Sequence, residues 1–172
     1  SSDVCSSDLT SFRKEAGTYG KDMEGIIRMH QFDKLEMETI SVAEDGLKEH
    51  LFAIALQEYL MRKLELPYQK LQKCTFDIGK PNARGVDLEV WLPGQDKHYE
   101  VSSASNCTDF QARRAQIRYR NQDMKKPALV HTLNASSLAL PRLMVAIMEQ
   151  GQQADGTIKL PKALQEMLDS LW

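Results

Sequence analysis

The sequence predicts an α+β domain built on an antiparallel β-sheet. Three observations carry this expectation. Two β-rich runs, "VDLEVWLP" (86–93) and "HYEVSS" (98–103), are joined by the turn string "GQDK". Two amphipathic stretches, 44–65 and 137–150, fall at irregular intervals, so the strand–helix–strand rhythm of a parallel sheet is absent. Neither GxGxxG nor the P-loop pattern occurs, so any nucleotide is held by other means.

Taken in order, the opening "SSDVCSSDLT" repeats Ser-Ser-Asp at 1–3 and 6–8, and "VCSSDL" is similar to the in-frame translation of a short sequencing adapter. Residues 1–9 are therefore set aside as non-native, and the domain is expected over 10–172. A short strand is predicted at 12–15. "AGTYGKDMEG" (16–25) is a glycine-rich loop. Residues 26–40 make a mixed strand with Ile27, Met29, Gln31, Asp33, Leu35 and Met37 on one face, forming a hairpin with the first strand. Over 44–65, Leu47, Leu51, Ile54, Ala55, Leu60, Met61 and Leu64 recur at three- and four-residue steps, a helix that Pro67 stops. A strand at 68–78, a loop at 79–85 and the hairpin follow. A strand at 128–134 leads to a helix at 137–150, with Pro141 in its first turn, where the missing N–H does no harm. A last short helix is expected at 161–171.

The chain has 172 residues, 42% of them hydrophobic and 27% charged, enough for one core, and no internal linker divides it. Its net charge of −2 excludes a global positive field for nucleic acid. No apolar run approaches the ~20 residues that span a bilayer, and there is no secretory pattern. Cys5, Cys74 and Cys107 are odd in number and form no CxxC pair, which fits a reducing, cytoplasmic setting.

Several residues could carry chemistry. Arg13 and Glu15, two apart on a strand, share a face. They make either an ordinary ion pair or a fork for phosphate or carboxylate beside an acceptor for an amino group. Glu36 stands between Leu35 and Met37, either solvent-facing or buried as an acceptor for a ligand. Asp87, Glu89 and Glu100, with Ser102 and Ser103, offer oxygen ligands suited to Mg²⁺. Glu100 and Ser102 are expected on one strand face, with Ser103 at the strand end. A metal nuclease is disfavoured because Val101 and Ser102, not lysine, follow Glu100. Arg113, Arg114, Arg118, Arg120, Lys125 and Lys126 form either a solvated face or a phosphate-backbone contact. His30 and His131 are expected to be structural. Arg142, one turn into a helix and preceded by Asn134 and Ser136, suits an anion.

Three segments in unbroken order resemble the class II aminoacyl-tRNA synthetases, and within them the seryl branch. "FRKEAGTYGKDMEGIIRMHQFDKLEM" (12–37) is similar to motif 2. "DLEVWLPGQDKHYEVSSASNCTDFQARR" is similar to the strand pair and helix that follow. "LVHTLNASSLALPRLMVAIMEQGQQADGTIKLPKAL" is similar to motif 3, at 128–150, and the C-terminal tail. The resemblance implies a class II antiparallel sheet flanked by helices, present here as a partial domain. It implies that Arg13 holds the ATP α-phosphate and the substrate carboxylate, that Glu15 accepts from the adenine amino group, and that Arg142 holds the γ-phosphate. Val101 and Ser102 are implied along the ATP site, and Glu100 and Ser103 as ligands of Mg²⁺. Glu36, Asn134 and Ser136 are implied to recognise L-serine. The implied partners are ATP, tRNA(Ser), also tRNA(Sec), and a second copy in a homodimer, with no membrane. Loop 16–25, with Lys21, is implied near the tRNA acceptor end.

Motif 3 of the family is usually glycine-rich, whereas this chain has Ala135, Ser137 and Pro141. The family's N-terminal coiled-coil arm, motif 1 and Thr-x-Glu loop have no match in these residues. The chain is therefore expected to be a C-terminal fragment of a catalytic domain with impaired activity alone. Two other readings are a paralogue that binds or activates a small amino acid for a carrier protein, and a non-catalytic binding module.

Overall fold

The computed structural model, which describes residues 3–14 and 25–171, is built on an antiparallel sheet. Its strands are β1 (Asp3–Phe12), β2 (Gln31–Ser41), β3 (Tyr68–Gln72), β4 (Arg84–Leu92), β5 (Lys97–Asn106) and β8 (His131–Ala139). Among the described residues they run in the order β1-β2-β8-β5-β4-β3, each antiparallel to its neighbours. Two short strands, β6 (Arg118–Tyr119) and β7 (Ala128–Leu129), pair separately. The helices are α1 (Gly46–Lys63), α2 (Phe110–Ala115), α3 (Leu140–Gly151) and α4 (Lys162–Asp169). The α+β antiparallel architecture is the one the sequence predicts.

Periodicity explains the layers. In β4, Val86, Leu88, Val90 and Leu92 alternate onto one face and are all buried. Helix α1 buries Gly46, His50, Ala53, Ile54, Gln57 and Met61 at three- and four-residue steps. Met37, Val101, Ala104 and Ala135 join these residues, with Leu143 and Ala146 of α3, in one core cluster. Both helices therefore cover one face of the sheet and leave the other face for a site. Gly46 permits this approach, since a Cβ there would lie 2.7 Å from His131 Nδ1. Arg62 and Lys63 occupy the last turn of α1, where the helix dipole favours cations.

Several boundaries differ from expectation. Residues 3–9, set aside as outside the fold, belong to β1, which pairs with β2 in continuous register from Asp3↔Ile40 to Phe12↔Gln31. Most side chains of β1 from Val4 on are exposed, so its place comes from the backbone ladder and not from an apolar face. The strand predicted at 12–15 ends at Phe12; Glu15 and loop 16–24 lie outside the described residues. The strand predicted at 26–40 begins only at Gln31, after a 3-10 turn at Gly25–Ile27. That predicted at 68–78 stops at Gln72, because Asp77 N–H bonds Cys74 O in a turn. The helix predicted at 137–150 begins at Leu140, just before Pro141, and Ser137–Ala139 continue β8. Their ladder with β2 outweighs the helical pattern.

Candidate active site

Strands β5 and β8 pair only at Ala104↔Ala135, Ser105↔Asn134 and Asn106↔Leu133. Past Ala104 the ladder ends, β5 staying with β4 and β8 with β2. At this break the sheet holds a cleft lined by Arg13, Phe32 and Lys34 on one side, by Glu100, Ser102 and Ser103 on another, and by Ser136 and Arg142.

Two irregularities in the ladder shape it. Glu89 faces Glu100 but Leu88 faces Ser102, so Val101 is an extra residue. Glu36 faces Ser136 but Leu35 faces Leu138, so Ser137 is extra. One extra residue reverses the phase of a strand. Glu100 and Ser103 consequently lie opposite Glu89 and Asp87, two residues apart on one face of β4. The expected sharing of a face by Glu100 and Ser102 is thereby corrected. Ser102 lies opposite the buried Leu88, and its hydroxyl donates to Ser136 O. Val101 is buried with the core. Ser137 has no positive φ, so the bulge accepts a residue other than glycine without left-handed strain.

Glu36 is 3% exposed and accepts three hydrogen bonds. Asn134 Nδ2 donates to Oε1 at 2.6 Å, and Ser136 Oγ to Oε2 at 2.8 Å. Lys34 Nζ is 2.9 Å from Oε2. The structure thus brings together Glu36, Asn134 and Ser136, three of the four residues that the resemblance assigns to serine; the fourth, Arg13, lines the cleft. A carboxylate has about four acceptor positions, and three are used here, leaving one on Oε1.

Arg142, in the first turn of α3, donates from Nη1 to Glu100 O at 2.6 Å and lies 3.8 Å from Glu100 Oε2. Burial pushes the Glu100 carboxyl above its ordinary range, and the nearby Asp87 charge adds to this; Arg142 opposes both. Asp87 is buried and paired to Lys73 Nζ at 3.1 Å, while its Oδ1 has no hydrogen-bond partner among the described residues. An orphaned carboxylate oxygen beside a second, half-exposed carboxylate is a setting that a divalent cation would relieve. The donors are oxygen only, which suits Mg²⁺. Among the described residues no three His, Cys, Asp or Glu side chains enclose a metal position. That is compatible with an ion that takes one or two protein oxygens and leaves the rest to phosphate and water.

Arg13 places its guanidinium 4.6 Å from the Phe32 ring centroid, and its backbone N–H donates to His30 O. His30 Nδ1 lies 3.3 Å from Arg13 O and His131 packs on Gly46, both structural roles. Lys34, Lys73 and Phe32 were not singled out from the sequence. The signal for two of them was present: Phe32, Lys34 and Glu36 alternate on β2, opposite in phase to Leu35 and Met37. The basic cluster is exposed and engaged locally: Arg114 sits 3.5 Å from the Phe110 ring centroid, Arg113 lies 3.6 Å from Asp109, and Arg120 donates to Met124 O.

Residues 7–151 match the family model of the tRNA synthetase class II core domain (G, H, P, S and T). A serine–tRNA ligase of Nautilia profundicola is 55% identical over 157 residues, covering 91% of this chain and 37% of that protein. One of Dichelobacter nodosus is 52% identical over 160 residues, covering 93% and 38%. The crystal structure of a seryl-tRNA synthetase from Pyrococcus horikoshii complexed with ATP superimposes with a TM-score of 0.91 at 47% identity, covering 95% of this chain and 36% of that one. A cytoplasmic serine–tRNA ligase from Naegleria fowleri in complex with AMP gives 0.90 at 30% identity, covering 98% and 40%. The chain therefore spans well under half the length of these relatives.

Proposed function

Because the chain belongs to the class II tRNA synthetase core-domain family, we propose that it forms part of the catalytic domain of a serine–tRNA ligase. The observation that carries this reading is the buried Glu36 carboxylate, held by Asn134, Ser136 and Lys34 with one acceptor position left over. A substrate hydroxyl or ammonium group fills that position. A site built around a buried acceptor discriminates by ~10⁴ or more against analogues that leave it unpaired.

In the reaction, a serine carboxylate oxygen attacks the α-phosphorus of ATP. The new P–O bond forms as the bond to the β-phosphate bridge breaks, and pyrophosphate leaves. The ribose hydroxyl at the tRNA end then attacks the seryl carbonyl, and AMP departs. No protein nucleophile takes part; the chain orients and neutralises. Arg13, at one side of the cleft, holds the α-phosphate and the serine carboxylate. Arg142, fixed by Glu100, meets the γ-phosphate. Val101 and Ser102 supply the wall along the nucleotide, and Glu15 reads the adenine amino group. Glu100 and Ser103 would hold Mg²⁺, which when bound adds positive charge against the phosphates. The same reading takes tRNA(Ser), and tRNA(Sec), as acceptors in a cytoplasmic homodimer.

The test is serine-dependent ATP–pyrophosphate exchange by the full-length protein that contains this chain. Exchange is expected with serine and at background with glycine or alanine. Glu36→Gln is expected to lower kcat/KM for serine by about 10- to 100-fold, the scale of one or two hydrogen bonds to a charged group. Exchange with alanine equal to that with serine sinks the proposal.

A further inference from the structure

We propose that Gln57 is a positioning residue, a clamp that fixes the two halves of the cleft relative to each other. The proposal rests on the functional reading above. Gln57 lies on the core face of α1 and is 0% exposed. Its Nε2 donates to Ser103 O at 3.0 Å and to Ser136 O at 2.9 Å. These are the carbonyls of the residues that would form the next opposed pair after Ala104↔Ala135, where the ladder stops. One planar amide thus replaces the missing rung between β5 and β8. Two acceptor oxygens at these distances also settle which end of the amide faces the sheet.

Packing alone does not account for a glutamine here. Its Oε1 is buried without a hydrogen-bond partner among the described residues, a cost that methionine or leucine would avoid. What those residues lack is the pair of donors. The neighbouring bonds act on the same seam. Two turns earlier on α1, His50 Nε2 lies 3.0 Å from Ala104 O, at the last rung, and the Ser102 hydroxyl of β5 donates across to Ser136 O of β8.

The two strands carry different halves of the chemistry. Glu100 and Ser103 lie on β5; Ser136 lies on β8 beside Glu36 of β2. Gln57 touches neither substrate position, and each half keeps its own side-chain bonds without it. Only the spacing of the halves depends on it. In-line attack requires the reacting atoms within ~3–3.5 Å, so loss of the clamp acts on the chemical step and not on binding of either substrate.

The full-length protein is compared with Gln57→Met and Gln57→Leu, and with Ile54→Val as a core substitution that leaves the clamp intact. Exchange kinetics give kcat and the KM values for serine and ATP; melting temperatures match the variants for stability. The expected result is a kcat at least about 10-fold lower in both Gln57 variants, with both KM values within about threefold of wild type. Ile54→Val, at similar stability, keeps its kcat. Amide hydrogen exchange is expected to rise in 101–104 and 135–138 and to stay unchanged in β3 and β1. A kcat within twofold of wild type, or a loss carried by KM, overturns the proposal. If the wild-type protein shows no serine-dependent exchange, the functional reading falls by itself. Hydrogen exchange then decides the clamp: unchanged protection of both segments overturns it.

Discussion

Glu100 is subject to two opposing demands. Its carboxyl is partly buried near Asp87, which raises its pKa, yet the proposed role as a Mg²⁺ ligand requires the ionised form. A carboxyl whose folded pKa lies above its unfolded value destabilises the fold once it ionises. That penalty is fully present above the raised pKa and disappears as pH falls below about 4.5, the unperturbed value. Glu100→Gln imitates the protonated form. The variant is expected to melt at a higher temperature than wild type at pH 7–8, with the difference closing by about pH 4.5, while exchange activity is lost. Thermal denaturation across pH checks this, and equal melting temperatures at pH 8 contradict it. His50 shows the complementary case: burial lowers its pKa, and the neutral ring can lie between Ala104 O and the Arg84 guanidinium.

Among the elements, α3 shows how a single small residue joins a helix to its surroundings. Gly151 ends the helix, and Lys159 N–H donates to its carbonyl at 2.8 Å as the following segment folds back. A Cβ on Gly151 would collide with the Lys159 backbone carbonyl, and backbone cannot swing aside as a side chain can. Gly151→Ala is expected to destabilise by about 1–3 kcal/mol, the usual scale of overpacking, and chemical denaturation measures it. Strand β4 was legible from its alternating apolar residues and β5 from its β-forming residues beside the turn string. Helix α1 was legible from apolar spacing, although Leu47, Leu51 and Ala55 of the expected face are exposed and Gly46, His50, Ala53 and Gln57 are buried instead. Strand β1 was not legible, since its ladder uses backbone groups and carries no apolar signature. Nor was the strand character of Ser137–Ala139, which depends on β2 lying alongside. The site divides in the same way. Glu36, Asn134, Ser136, Glu100 and Arg142 were recognisable as chemical groups in motif-like strings. The role of Gln57 was hidden in a helix pattern and emerges only from the break between β5 and β8.

At the scale of the whole molecule, both covering helices present apolar side chains outward. Leu47, Leu51 and Phe52 are exposed on α1; Leu140, Met144 and Met148 form a stripe at four-residue steps on α3. Patches of this kind promote association in water. The 172-residue chain by itself is expected to enhance the fluorescence of an apolar dye and to self-associate with rising concentration. Leu51→Lys together with Met148→Lys should reduce both, as read by dye titration and light scattering; an unchanged response refutes the assignment of these faces. Among the described residues no helix is long and apolar enough to cross a membrane. The sequence by itself determined the α+β class, the main helices, the central hairpin and the chemical groups of the site, because periodicity and residue type are local properties. The tertiary structure decided the phase of those groups. A single extra residue at Val101 sets Glu100 and Ser103 on one face, and another at Ser137 brings Ser136 opposite Glu36. Such a shift is defined only against a neighbouring strand, and no single strand's sequence contains it.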